Sequence, residues 1–200
     1  MIEEKETPIF IKVENNLFLK GICHFRIDMK KYATTFVIGK YEFHGSLHDK
    51  YISESERYDQ ISDWVIDDVL SKHKIEKVYL EDYSYASTGR VFHIAENTGI
   101  LKHKIYRRNY LVQEGFLSSK PKIDVHLVAP TTVKKFATGK GNASKWDMCE
   151  QFLQDTGLNL NEEITPNKQP ASTPVNDIVD SFYILKYGEH DALSRNKSNK

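Results

Sequence analysis

Four acids in this chain fall where carboxylates can do chemistry. Glu81 closes the apolar run KVYLE at 77–81. Such a run reads as a buried strand, and the C-terminal edge of a strand is where α/β sheets present functional groups. Asp177 and Asp180 stand three apart in VNDIVDSF, so on a helix they share a face. Like charges there repel, and a divalent cation is a partner that two carboxylates can share. Asp28 ends the strand-like stretch GICHFRID. Four acids from three segments suit hard Mg2+ or Mn2+. Two such ions could activate a water and support the departing oxygen of a phosphodiester. Each acid also has a plainer reading. Glu81 and Asp28 could simply terminate strands, and the Asp pair could be a solvated face or N-terminal acids favoured by the helix dipole.

Other residues read as groups that handle a nucleic acid. Ser87, Thr88 and Arg90, with Gly89 between them, stand at the start of a helix, where backbone N–H groups and a guanidinium suit a phosphate. Ordinary capping is the alternative. Lys134, Lys135, Lys140 and Lys145 surround Gly139 and Gly141, which let the backbone come close to a strand of DNA. One of these lysines could also stabilise transition-state charge. Tyr83 and Tyr85 follow Glu81 and could stack on bases, or be core residues as tyrosines more often are. Phe92 could sit near the same site, with a core position the commoner case. His24 and His126 fall in strand-like segments and are expected to be structural. No G-x-x-x-x-G-K-[ST] loop is present, so ATP hydrolysis and a nucleotide cofactor are not supported.

The elements that must position these groups follow from periodicity. Strands are predicted at about Ile22–Asp28, within YATTFVIG and within YEFHGSLH, with a hairpin turn at Gly39-Lys40. SERYDQISDWVIDDVLSKHKI reads as a helix capped by Ser55, with Ile61, Trp64, Val65 and Val69 on its apolar face. A helix is predicted in GRVFHIAENTGILKHKIYRR, with Val91, Ile94, Ala95, Leu101 and Ile105 on one stripe. A strand follows in KIDVHLVAP. Next come a short element, a basic glycine loop, and a helix through Trp146, Cys149, Phe152 and Leu153. Residues 156–173 read as a loop. A last helix starts near Pro174 with Val175, Ile178, Val179, Phe182 and Leu185 inward. The order is mixed α/β.

The bulk properties set limits. Two hundred residues suit one domain, expected over 1–187, with 1–13 a loose leader or edge strand and 188–200 a disordered tail. No apolar stretch approaches the roughly 18 residues of a membrane span. The acidic start MIEEKETPIF does not read as a secretory signal. Cys23 and Cys149 have no metal-site spacing, so a reduced, intracellular protein is expected. Net charge is zero, but unevenly laid. Lys102–Lys145 holds ten Lys/Arg against two acids, whereas Trp146–Glu163 holds five acids and no Lys/Arg. Phosphate binding depends on local potential, so the first stretch is either a phosphate-binding surface or a solvated basic face.

Three segments, in order over about residues 78–186, resemble a known family. VYLEDYSYASTGRVFHIAENTGILKHKIY is similar to a strand end that leads through a small-residue turn to a helix. VAPTTVKKFATGKGNASKWDM is similar to P-x-x-x-K-x-x-x-T-G-x-G-x-A-x-K-x-x-M, and TPVNDIVDSFYIL to a closing helix with D-x-x-D. The family is the RuvC-type Holliday-junction resolvases of phages and large viruses, in the RNase H-like superfamily. The resemblance implies an RNase H-like mixed sheet flanked by helices, a homodimer, and Mg2+-dependent symmetric nicking of four-way DNA junctions with two ions per site (Mn2+ able to substitute). It places the catalytic, metal-binding acids at Glu81, Asp177 and Asp180, and the first acid at Asp28, eight residues before Phe36. Arg26 stands where the family's usual glycine precedes the isoleucine. A related nuclease acting on flaps, branches or RNA–DNA hybrids, and an inactive DNA-binding module of the same fold, are the alternatives.

Overall fold

The computed structural model describes residues 19–21, 35–38, 41–44, 51–72, 75–82, 91–165, 168–169, 171–172 and 175–198. Strands β1 (Leu19–Gly21), β4 (Lys77–Glu81) and β5 (Asp124–Val128) form a parallel sheet in the order β1-β4-β5. Strands β2 (Thr35–Ile38) and β3 (Tyr41–His44) pair antiparallel, with Ile38 opposite Tyr41, the register of a two-residue hairpin. Helices make up most of the rest: α1 (Glu54–Asp63), α2 (Val91–Gln113), α3 (Pro130–Thr138), α4 (Lys145–Thr156), α5 (Leu160–Ile164) and α6 (Val175–Ser198).

The central strand explains the layering. Val78, Tyr79 and Leu80 are all buried, and strand side chains alternate between faces. Val78 and Leu80 join a core with Val65, Leu70, Ile75, Leu101, Ile105 and Ile123, on the α1–α2 side. Tyr79 joins the other core, with Val133, Met148, Phe152, Ile178, Val179 and Phe182 from α3, α4 and α6. Helices therefore cover both faces of β4, which is why it reads as a continuous apolar run. The same alternation puts Glu81 on the Tyr79 face, toward α6.

At Tyr79, α6 seats closely on β4. A Cβ on Gly188 would lie 2.6 Å from Tyr79 Cδ2, so only glycine admits this approach. The Tyr79 hydroxyl donates to Asp191 Oδ2 at 3.3 Å, and its ring stacks on His126 of β5 at 4.9 Å. Gly188→Ala must push the ring or the helix aside. It is expected to cost about 1–3 kcal/mol, as core overpacking does, and to lower Tm by roughly 3–10 °C in a thermal melt.

Several boundaries differ from those the sequence predicts. β1 lies at Leu19–Gly21, ahead of the predicted Ile22–Asp28, which falls outside the described residues. Ser53, not Ser55, caps α1, its hydroxyl accepting from Glu56 N–H at 3.2 Å. The α1 helix then widens into π-type turns over Trp64–Val69 and ends in a 3-10 turn, Leu70–Lys72. α2 runs to Gln113, past the predicted arginine pair. Phe92 is 74% exposed rather than in the core. A short helix, α5, occupies part of the predicted 156–173 loop, with Leu160 buried. Residues 188–198, expected as a disordered tail, continue α6, because Gly188 and Ala192 still face the core. In α4, Met148, Cys149 and Phe152 face inward while Trp146 and Leu153 do not. Among the described residues no helix is long and apolar enough to cross a membrane.

Candidate functional site

At the C-terminal edge of β4, Glu81 lies opposite Val128 of β5, and the next residue's N–H, that of Asp82, bonds Val128 O at 2.9 Å. This fixes the strand end that carries the carboxylate. α6 begins nearby, and Asp177 and Asp180 lie in its first two turns, both half-buried. Asp177 Oδ1 accepts from Asn176 Nδ2 at 3.1 Å. The start of α6 is held by the Val175 N–H, which bonds Ser172 O at 2.8 Å.

Two lysines close the group. α3 begins at Pro130 and ends at Gly139, whose φ of 80° is the left-handed conformation glycine tolerates. Lys134 lies midway along it. α4 opens with a reciprocal capping box: Asp147 N–H donates to Ser144 Oγ at 3.1 Å, and Ser144 N–H donates to Asp147 Oδ2 at 2.7 Å. That cap sets Lys145 as the first residue of α4. These backbone and side-chain bonds hold the Asp147 carboxyl below its ordinary value.

The charges act on one another. Burial, then the charges of Asp180 and Asp177, push Glu81 up from 4.5 to about 7, against the opposing pull of Lys134 and Lys145. Burial raises Asp180 from 3.8 to about 6, against the same two lysines. Burial and Asp180 raise the Cys149 thiol to about 11, which places α4's inner face beside the acids. Two lysines therefore do not offset the cost of these carboxylates.

The predicted site residues divide three ways. Glu81 senses the charges of Asp177, Asp180, Lys134 and Lys145, and Asp180 senses the same two lysines. Lys135 and Lys140 are exposed, and neither is among the cations acting on Glu81 or Asp180; Lys140 acts on Asp147 instead. Asp28, Tyr83, Ser87, Thr88 and Arg90, with Tyr85 and His24, lie outside the described residues.

The wider basic stretch is not one phosphate surface. Lys104 pairs with Asp59 and Asp63 of α1 at 2.7 and 2.6 Å. Buried Arg108 donates to Pro121 O at 3.0 Å, Lys122 donates to Gln113 Oε1 at 2.9 Å, and Lys120 donates to Ser71 O. These four cations tie α2 and the strand after it into the fold. The capping box went unread in the sequence, although S-x-x-D at 144–147 is a recognisable helix-start signal.

Among the described residues, no three His, Cys, Asp or Glu side chains form a ready-made cage for a metal ion. The donor chemistry nevertheless suits one. Glu81, Asp177 and Asp180 offer hard oxygen ligands, and two of them hold protons more tightly than isolated carboxyls do. A divalent cation is the group that would relieve that surplus of negative charge.

No protein-family model and no curated protein matches the sequence. Solved structures similar to the chain include Thermus thermophilus RuvC, at TM-score 0.46 and 16% identity over 76% of this chain and 78% of that one. Another is T. thermophilus RuvC in complex with a Holliday junction substrate, at TM-score 0.44 and 16% identity over 78% and 86%. Similarity at this level decides neither fold nor activity.

Proposed function

We propose that this chain is an RNase H-like nuclease that hydrolyses phosphodiesters at the Glu81–Asp177–Asp180 cluster, with four-way DNA junctions as its substrate. The observation that carries this reading is that Glu81, at the end of β4, senses the charges of Asp177 and Asp180 from α6 and is raised to about 7. Carboxylates brought together against their own repulsion and against burial cost stability, and such groups collect at functional sites. Glu81, Asp177 and Asp180 would hold Mg2+ or Mn2+, two ions per site, with Asp28 as the fourth ligand. Bound there, the ions would supply Lewis-acid activation of a water and charge stabilisation at phosphorus. Lys134 and Lys145 would meet the phosphate oxygens as charge builds on them.

The sequence resemblance to RuvC-type resolvases supports the choice of a branched substrate. Tyr83, Ser87, Thr88, Arg90, Lys135 and Lys140 would contact the DNA arms. A homodimer would set two sites on symmetric strands, matching the two-fold symmetry of a junction. The outward side of α2, where Phe92, Tyr106, Tyr110 and Leu111 are exposed, is the surface we assign to it. Such a nuclease would work inside the cell, wherever DNA is recombined.

The experiment is cleavage of a panel: a synthetic four-way junction, a flap, a linear duplex and an RNA–DNA hybrid, each with Mg2+ and with EDTA. Paired symmetric nicks in the junction alone, lost in EDTA, are expected. Preferential cutting of flap or hybrid would keep the site and replace the substrate. Junction binding with no cutting in Mg2+ or Mn2+ would leave only a binding module.

A further inference from the structure

The acidic stretch of the chain, left without a role by the nuclease reading, folds into a surface of its own. A pocket of about 110 Å3 lies between α4, α5 and the start of α6. Trp146, Leu153 and Leu158 form its outer wall, 47%, 40% and 37% exposed, and Val175 and Val179 form its floor. Large apolar side chains gathered around a concavity mark a binding surface more often than singly scattered ones do. This pocket opens on another side of α6 from the carboxylates, although Cys149, which lines it, senses the charge of Asp180. At 3.6 residues per turn, Val175 and Val179 lie on roughly the opposite side of α6 from Asp177 and Asp180.

Charge says what fits. Glu150 lines the pocket, and Asp147, Glu162 and Glu163 are exposed on the same two helices. No Lys or Arg occurs between Trp146 and Glu163. Lys145, next in sequence to Trp146, acts on Glu81 and Asp180 instead. An acid in the lining, with further acids exposed on the same helices, repels a phosphate backbone and attracts a basic partner. We infer that the α4–α5 groove docks a protein partner through an amphipathic helix, with an apolar anchor entering beside Trp146 and Lys or Arg residues facing Glu150, Glu162 and Glu163. Helix-in-groove recognition works in this way. The acids then set orientation and approach rate, while the anchor supplies most of the affinity.

The test uses the full chain and two fluorescein-labelled synthetic 15-residue amphipathic helices, one of Leu and Lys, the other of Leu and Glu, read by anisotropy. Micromolar binding of the Leu/Lys peptide only is expected, weakened at least tenfold by Trp146→Ala and by the double reversal Glu150→Lys, Glu162→Lys. Because these side chains are exposed, both variants should melt within a few degrees of the parent, so weaker binding would not reflect unfolding. Equal binding of the two peptides would overturn the inference, as would unchanged binding by the Trp146→Ala protein. Two further outcomes would replace the occupant. Loss of a dimer in Trp146→Asp by sedimentation would assign the groove to a second copy. A tenfold loss of junction binding in Trp146→Ala would assign it to DNA.

Discussion

Glu81→Gln is expected to slow Mg2+-dependent junction cleavage by about 10^3-fold or more, while junction binding measured in EDTA stays within about twofold. The size follows from the several kcal/mol of transition-state stabilisation that metal-site carboxylates support, at about 1.4 kcal/mol per tenfold in rate. The split between cutting and binding is the informative part. Glutamine keeps the shape and a neutral oxygen at the end of β4, so the fold and the lysines proposed to meet DNA are untouched. Asp180→Asn should behave likewise, and the double variant should be little worse than either single one, since groups that serve one site are not additive. Single-turnover rates on a labelled junction, beside filter-binding or gel-shift titrations, make the measurement. A Glu81→Gln protein that cuts at the parent rate would remove this cluster from the chemistry.

The second large effect concerns stability. Burial and the neighbouring aspartates raise Glu81 from 4.5 to about 7, and burial raises Asp180 from 3.8 to about 6. In both cases the folded chain holds the proton more tightly than the unfolded chain. The resulting stabilisation is complete below the ordinary value and is lost as pH rises through the folded one. The metal-free protein should therefore weaken between about pH 4 and about pH 7. At about 1.4 kcal/mol for each tenfold change in proton affinity, each group is worth on the order of 3 kcal/mol. Because the two sense each other, the pair is worth less than the sum. A fall in Tm of roughly 5–10 °C is expected in EDTA. Glu81→Gln cannot ionise at that position, so it should lose much of the pH dependence and be more stable than the parent at pH 8. Mg2+ should raise the parent's Tm more at pH 8 than at pH 5. A parent protein in EDTA that melts no lower at pH 8, with Glu81→Gln following the same curve, would show that these carboxyls are not strained by their surroundings.

Part of this was legible in the sequence, and the reason differs from element to element. β4 was readable because burial on both faces leaves a run with no polar interruption, and its end marked Glu81. α6 was readable because its inward positions repeat at helical spacing around the Asp pair. The convergence of the two was not readable from spacing alone; it depends on strand alternation turning Glu81 to the Tyr79 face, where α6 lies. The basic stretch stayed open between two readings for a related reason. Ten cations in sequence look like one surface, but Lys104, Arg108, Lys120 and Lys122 find acceptors in α1, nearby loops and α2 itself, and only tertiary contacts reveal that. The supposed disordered tail was misread because its polar composition hides two small residues, Gly188 and Ala192, that serve the core. Local chemistry also chose the cap of α1: Ser53 and Ser55 are equivalent in type, and only the backbone separates them.

The close seating of Gly188 on Tyr79 has a consequence for Asp180, eight residues earlier. Those two points on α6 are separated by about 12 Å of continuous helix. The ring of Tyr79, stacked on His126 and packed under Gly188, is one of several supports of α6, which also packs against β1, α3 and α4. Tyr79 and Glu81 stand on one strand, and Gly188 and Asp180 on one helix, so the depth at which the helix seats on the ring bears on the spacing of the carboxylates.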